Sequence, residues 1–183
     1  MSIKNVLIVI VFLLLSSYCI GQDLYNTNNA TIRFVSEAPL EIIKAGSDNC
    51  QGILSIKEGK FVFRIFIKTF EGFNNSLQRV HFYENYMETS RYPEAIFEGL
   101  LVEEIDIQYE GSQLIRAKGD LTIHGVTKEK IIEVILQRKD TFLKFKSEFI
   151  IDLKEFNIDI PNIVKQKIAE NINILVEGSL EPR

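Results

Sequence analysis

The stretch Gly119–Lys130, GDLTIHGVTKEK, decides how this chain is read. It holds one of the chain's two histidines, beside a glycine and a threonine. It is either the corner of a catalytic site or a turn between two strands. The residues leading into it favour strands. Across Leu114–His124, LIRAKGDLTIH, Ile115, Ala117, Gly119, Leu121 and Ile123 alternate with Arg116, Lys118, Asp120, Thr122 and His124. Side chains alternate between faces along a strand, so this one has a dry face and a wet face. A second apolar run follows at Lys130–Leu136, KIIEVIL. Between the two, Gly125 takes a positive φ without steric penalty, as a tight hairpin demands. His124 then falls on the wet face, where a local hydrogen bond pins the hairpin. Thr127 braces the same turn through its hydroxyl.

The period of two recurs in both directions from this hairpin. Phe61–Lys68 sets Phe61, Phe63, Ile65 and Ile67 on one face, and Ala95–Leu101 does the same with Ala95, Phe97, Gly99 and Leu101. Phe142–Leu153 groups Leu143, Phe145, Ser147, Phe149 and Ile151, and the last strand groups Ile172, Ile174, Val176, Gly178 and Leu180. Thr31–Val35, Leu40–Lys44 and Gly52–Lys57 read as shorter strands. Two helical pieces interrupt the series. Asn75–Tyr86 carries Leu77, Val80, His81 and Tyr83 or Glu84 at helical spacing, and Pro161–Asn171 opens on proline with Ile163, Val164, Ile168 and Ala169 on one side. About eight or nine antiparallel strands must close or stack, because open edges invite aggregation. The expected fold is all-β with two short helices, a closed antiparallel barrel in a single domain.

The first residues fall outside that domain. Lys4 precedes an unbroken apolar run, Val6–Leu15, which is shorter than the roughly 20 residues a membrane span needs. Residues 1–21 therefore read as a secretory signal peptide, with Cys19 and Gly21 as the small residues before the cut, and 22–183 as the barrel domain. Tyr18 stands where a lipoprotein signal carries a small residue, which argues against lipidation of Cys19. Beyond Gly21 the chain holds 20 Lys and Arg against 25 Asp and Glu, with no Arg cluster, so nucleic acid is not an expected partner. One cysteine remains, Cys50, so no internal disulfide forms and it is read as structural or incidental.

Catalytic patterns are missing from the sequence. His81 and His124 lie in different elements, outside any HxH, HExxH or Cys/His array, so no metal site is expected. There is no Gly-rich phosphate loop and no GxSxG elbow, and the carboxylates sit on wet strand positions. No catalytic residue is assigned, and the protein is expected not to be an enzyme. His81 is read as packed under its helix, the alternative being a polar group at a pocket mouth. Inside the dry faces, Ala117, Gly119, Gly99 and Gly178 are small among large residues. An eight-stranded barrel is either just filled by side chains or wide enough for one small ligand. The small residues either leave a hollow or relieve barrel curvature beside bulky phenylalanines.

The hairpin stretch GDLTIHGVTKEKIIEVIL resembles the hallmark segment of the YceI-like family, a G-x-L-T-I-H-G-V-T-K run leading into an apolar strand. RVHFYENYMETSRYPEAIFEG, Arg79–Gly99, is similar to a second family segment, and FNIDIPNIVKQKIAENINILVEGSL to its closing one. The resemblance implies a lipocalin-like barrel exported to the periplasm or beyond, with no cofactor other than a bound polyisoprenoid or other lipid. A hydrophobic small molecule is then the expected partner. Strand parity assigns the wall to Phe63, Ile65, Phe97, Ala117, Gly119, Leu121, Phe145 and Phe149, while Phe82 and Tyr86 cover the opening. Tyr86 and His81 would meet a polar head group. The alternative is a solid barrel without lipid that acts through its outer surface. Neither the oligomeric state nor a protein partner follows from the sequence.

Overall fold

A computed structural model describes residues 24–183. The expected signal segment, 1–21, and Cys19 lie outside the described residues. Eight antiparallel strands follow one another around a closed barrel. They are β1 (Leu24–Glu37), β2 (Ile42–Ser55), β3 (Lys60–Phe66), β4 (Glu94–Leu101), β5 (Ser112–Ile123), β6 (Val126–Lys139), β7 (Phe142–Asp152) and β8 (Asn171–Pro182). Pairing of β1 with β8 closes the ring. All eight strands and their shared core lie within this span, which therefore carries the complete barrel.

The alternation seen in the sequence is the inside–outside pattern of the wall. Ile115, Ala117 and Leu121 of β5 are buried, and Arg116, Lys118 and Asp120 between them are exposed. β1 and β2 differ from the expectation. The three short strands merge into two of 14 residues each, running through the polar stretches Asn26–Asn29 and Gly46–Asn49. Register shifts between Thr27, Ala30 and Ile32 absorb the irregularity, and Thr31 Oγ1 donates to Asp48 Oδ1 at 2.9 Å. Ladder pairing held these residues in strands that their own propensity does not favour.

The hairpin connections 55–60, 101–112 and 139–142 gather at one end with Leu24, the first described residue, and the C-terminus. That end is plugged by Tyr25, Ile105, Ile115, Leu143 and Leu180, all buried. The opposite end receives the two long connectors, 67–93 and 153–170. Two ladders stop short of it. β2 pairs with β3 only over Gln51–Leu54, and β6 with β7 only over Ile135–Lys139. The strands part above these points, and the long connectors cover the parted edges. Glu71 bridges to Gly46 with two 2.8 Å backbone bonds, and Ser147 Oγ donates to Glu133 O at 2.6 Å.

The helical expectations are corrected in detail. Among the described residues only Ser76–His81 forms an α-helix, α1, capped by Asn75, whose side chain accepts from the Gln78 N–H at 2.9 Å. A single wide turn, Phe82–Tyr86, continues it, with Met87 N–H reaching Phe82 O at 2.9 Å. The stripe at helical spacing is turned outward, with Leu77 and Val80 exposed, while Phe82 and Tyr86 pack on the core. Pro161–Asn171 is not an α-helix. Asn162–Val164 makes one 3-10 turn and the rest is irregular.

His124 is the other correction. Its φ is +51° and that of Gly125 is +72°, so both turn residues are left-handed, as a two-residue hairpin requires. The imidazole does not face water, and its side chain is only 11% exposed. Nε2 lies 2.9 Å from Glu88 Oε2, and Nδ1 lies 3.2 Å from Phe156 O. The ring meets Tyr92 edge-on at 4.7 Å. The histidine therefore ties the β5–β6 hairpin to both long connectors, not to its own turn. Thr127 does act locally, sharing a 2.8 Å hydroxyl bond with Thr122. His124→Ala removes both tethers and leaves the buried Phe156 O unpaired, while the half-exposed Glu88 carboxylate returns to water, a loss of about 2 kcal/mol. Chemical denaturation checks this, and a loss below about 1 kcal/mol would mean the tethers do not bear on stability.

Candidate functional site

The barrel interior holds a cavity of about 570 Å³. This lies within the range of roughly 300–1,000 Å³ typical of small-molecule sites. The strand period places its wall. Phe61, Phe63 and Ile65 come from β3, Ala95, Phe97 and Leu101 from β4, and Ala117 and Leu121 from β5. Phe145 and Phe149 of β7, Ile174 and Val176 of β8, Ile32 and Phe34 of β1, Cys50 and Leu54 of β2 and Val134 and Leu136 of β6 complete the ring. Two aromatic clusters shape it. In the lower one Phe61 meets Phe97 at 4.9 Å and Phe63 meets Phe145 at 5.4 Å. In the upper one Phe82 stacks on Phe34 at 5.4 Å and meets Phe73 at 5.0 Å.

Of the eight residues assigned from strand parity, seven line this one space, Phe63, Ile65, Phe97, Ala117, Leu121, Phe145 and Phe149, and so do Phe82 and Tyr86, placed over the opening from the helix. Gly119 does not line it. A Cβ there would lie 2.1 Å from Glu98 O and 2.9 Å from Gly99 Cα, so Gly119 exists to let β4 and β5 approach. Gly99 is the reciprocal half of that contact, with a Cβ 2.2 Å from Lys118 O. Neither glycine leaves room for a ligand. Phe34 was legible by the same parity, sharing its face with Ile32 and Ser36. Phe70 and Phe73 sit in an irregular connector and carry no periodic signal.

The mouth lies at the long-connector end. Leu77, Gln78 and His81 of α1 border it, with Glu41 of the β1–β2 turn and Val164, Lys167 and Ile168 of the last connector. Gln78 Nε2 donates to Glu41 Oε1 at 2.6 Å. His81 is exposed at this mouth and not packed under the helix. Below the rim the polar side chains are few. Ser36 Oγ accepts from Ala169 N–H and Ser147 Oγ is committed to Glu133 O. Burial in the apolar interior raises the Tyr86 phenol above its ordinary range, and no partner opposes that shift.

Cys50 is buried in the cavity wall, and burial pushes its thiol from an ordinary 9.0 up to about 12. The neutral thiol is the form the fold favours. The stabilisation is thus complete below pH 9 and is lost as pH rises from 9 through 12, amounting to about 4 kcal/mol. A thiol-reactive dye is expected to leave Cys50 unmodified at pH 8 in the folded protein and to label it fully in denaturant. Rapid labelling of the native protein would show that the wall is open to water. Among the described residues, no group of three His, Cys, Asp or Glu side chains could hold a metal ion, and no helix is long and apolar enough to cross a membrane.

An eight-stranded closed barrel around a one-mouthed apolar space defines the architecture shared by barrels that enclose a single small ligand. The YceI-like domain model matches residues 25–180, and the chain belongs to that family. Solved structures share the fold. A polyisoprenoid-binding domain from Saccharophagus degradans, implicated in plant cell wall breakdown, superposes with a TM-score of 0.73 at 13% identity, covering 88% of this chain and 99% of that one. BcnA of Burkholderia cenocepacia gives 0.68 at 14% identity, covering 82% and 95%. A YceI protein of Campylobacter jejuni gives 0.61 at 16% identity, covering 76% and 84%. Comparison with curated proteins gives no match.

Proposed function

We propose that the protein is an exported lipid-binding barrel that holds a polyisoprenoid or similar long-chain amphiphile, for carriage or storage, in the periplasm or outside the cell. The observation that carries this reading is the apolar cavity of about 570 Å³, closed at one end and open at the other. Each methylene moved from water into such a space gains about 0.8 kcal/mol, so a long chain needs few polar contacts. The polarity gradient orients the ligand: its tail points down to Leu54, Leu136 and Leu180, and its head lies near Tyr86, His81 and Lys167. The name of the Saccharophagus degradans domain supports testing isoprenoids first. A phospholipid or fatty acid suits the same wall. The hollow interior weighs against the solid-barrel alternative, whose function would lie outside.

The test is direct. The chain from Gln22 is purified without detergent, extracted with organic solvent, and the extract analysed by mass spectrometry. A near-stoichiometric lipid is expected. A clean extract from isoprenoid-rich cells, with no uptake of added polyprenol, fatty acid or phospholipid, would return the solid-barrel reading.

A further inference from the structure

We infer that the apolar rim around the cavity mouth docks on a phospholipid bilayer, so that the ligand passes between membrane and barrel without crossing water. This rests on the lipid-carrier reading above.

The rim is built from three separate segments. Leu40 is 66% exposed in the β1–β2 turn and Ile163 is 91% exposed in the last connector. Ile42 and Val80 are also exposed. Hydrogen bonds bring these segments together: Leu40 N–H donates to Gln166 O at 2.8 Å, and the Asn74 side-chain Nδ2 donates to Ile42 O at 3.0 Å. Leu77, 61% exposed and one turn from Val80 on α1, both belongs to the rim and borders the mouth. Exposed apolar residues also occur on the outer wall, where Leu114 faces Ile135 and Ile53 faces Val62 across the ladders and others stand beside charges. Ile131 pairs across the ladder with Lys118, and Ile135 with Lys146. At the rim they ring an opening instead.

The occupant follows from size and charge. A stable protein interface takes about 20–30 residues a side, well beyond this narrow ring, and a flat partner would leave the mouth empty beneath it. A bilayer needs no complementary shape and supplies the ligand's own solvent. Charges about the rim are nearly balanced. Arg79, Lys165 and Lys167 stand against Glu37, Glu41 and Glu84. Glu41 is engaged by Gln78, and Lys165 lies 3.9 Å from Glu170. Docking by apolar insertion, without a requirement for anionic lipid, is the consequence.

The experiment uses residues 22–183, which carry the whole barrel, and the variant Leu40→Ser/Val80→Ser/Ile163→Ser. None of these three side chains lines the cavity. Cosedimentation with phosphatidylcholine vesicles is measured at low and high salt. Loading with a polyprenol presented in cyclodextrin is measured separately. The wild type is expected to bind vesicles with little dependence on salt, and the variant to bind at least about tenfold more weakly. Its thermal midpoint and its loading from cyclodextrin should match the wild type. No vesicle binding by the wild type, or equal binding by the variant, overturns the inference. So does a wild-type dimer that the variant dissolves without any vesicle binding, which would make the rim a self-association surface. Failure of cyclodextrin loading in both proteins would reject the carrier reading, and the vesicle result would still decide the docking.

Discussion

Gly119→Val is expected to destabilise the barrel by about 4 kcal/mol, above the 1–3 kcal/mol usual for overpacking. A valine is the residue a strand would ordinarily prefer there. The obstacle is backbone, not side chain. The first carbon added to Gly119 meets Glu98 O at 2.1 Å and the Glu98 carbonyl carbon at 2.7 Å. Gly119 faces Gly99 across the β4–β5 ladder, so neither strand has a flexible group that can swing away. Relief requires the two strands to separate, which loosens a ladder that runs from Ile96–Thr122 to Leu101–Ala117. In urea, where such a domain loses about 1–3 kcal/mol of stability per molar denaturant, the midpoint should fall by about 2 M. An unchanged midpoint would mean that β4 and β5 do not approach as described.

Ala117→Phe, two residues away on the same face, is expected to do the opposite. Ala117 is 4% exposed and lines the cavity. A phenyl group there enters empty apolar space, so stability should hold or rise slightly, since it fills a void. Lipid binding should suffer instead. Excluding about four methylenes from the wall forfeits about 3 kcal/mol, or roughly a hundredfold in affinity. Titration with a fluorescent polyprenol measures it. Undiminished binding in a folded variant would place the ligand somewhere other than beside β5.

This pair shows how far sequence parity reaches. Alternation put Ala117 and Gly119 on one face, and that is where both lie. It carries no information on which inward position faces a void and which faces a neighbouring backbone. That difference arises from the approach of β4 to β5, set by pairing between residues about twenty apart in the chain. His124 fails for the same reason. Its parity pointed to solvent, yet its partners, Glu88 and Phe156, lie 36 and 32 residues away. At α1 the helical spacing read over Asn75–Tyr86 did not say which face packs, and the wide turn at Phe82–Tyr86 directs the aromatics inward and leaves Leu77 and Val80 at the rim.

The sequence by itself determined the all-β class, the inward sets of β3, β4, β5, β7 and β8, the tight turn at Gly125 and the family. These rest on local rules: the period of two, the φ that glycine tolerates, and a run of residues specific enough to recognise. Only the tertiary structure decided that the interior is hollow, that one end is plugged and the other open, and which residues ring the mouth. Those features depend on where ladders stop and where long connectors settle. They are properties of contacts between distant segments, and no window of neighbouring residues contains them.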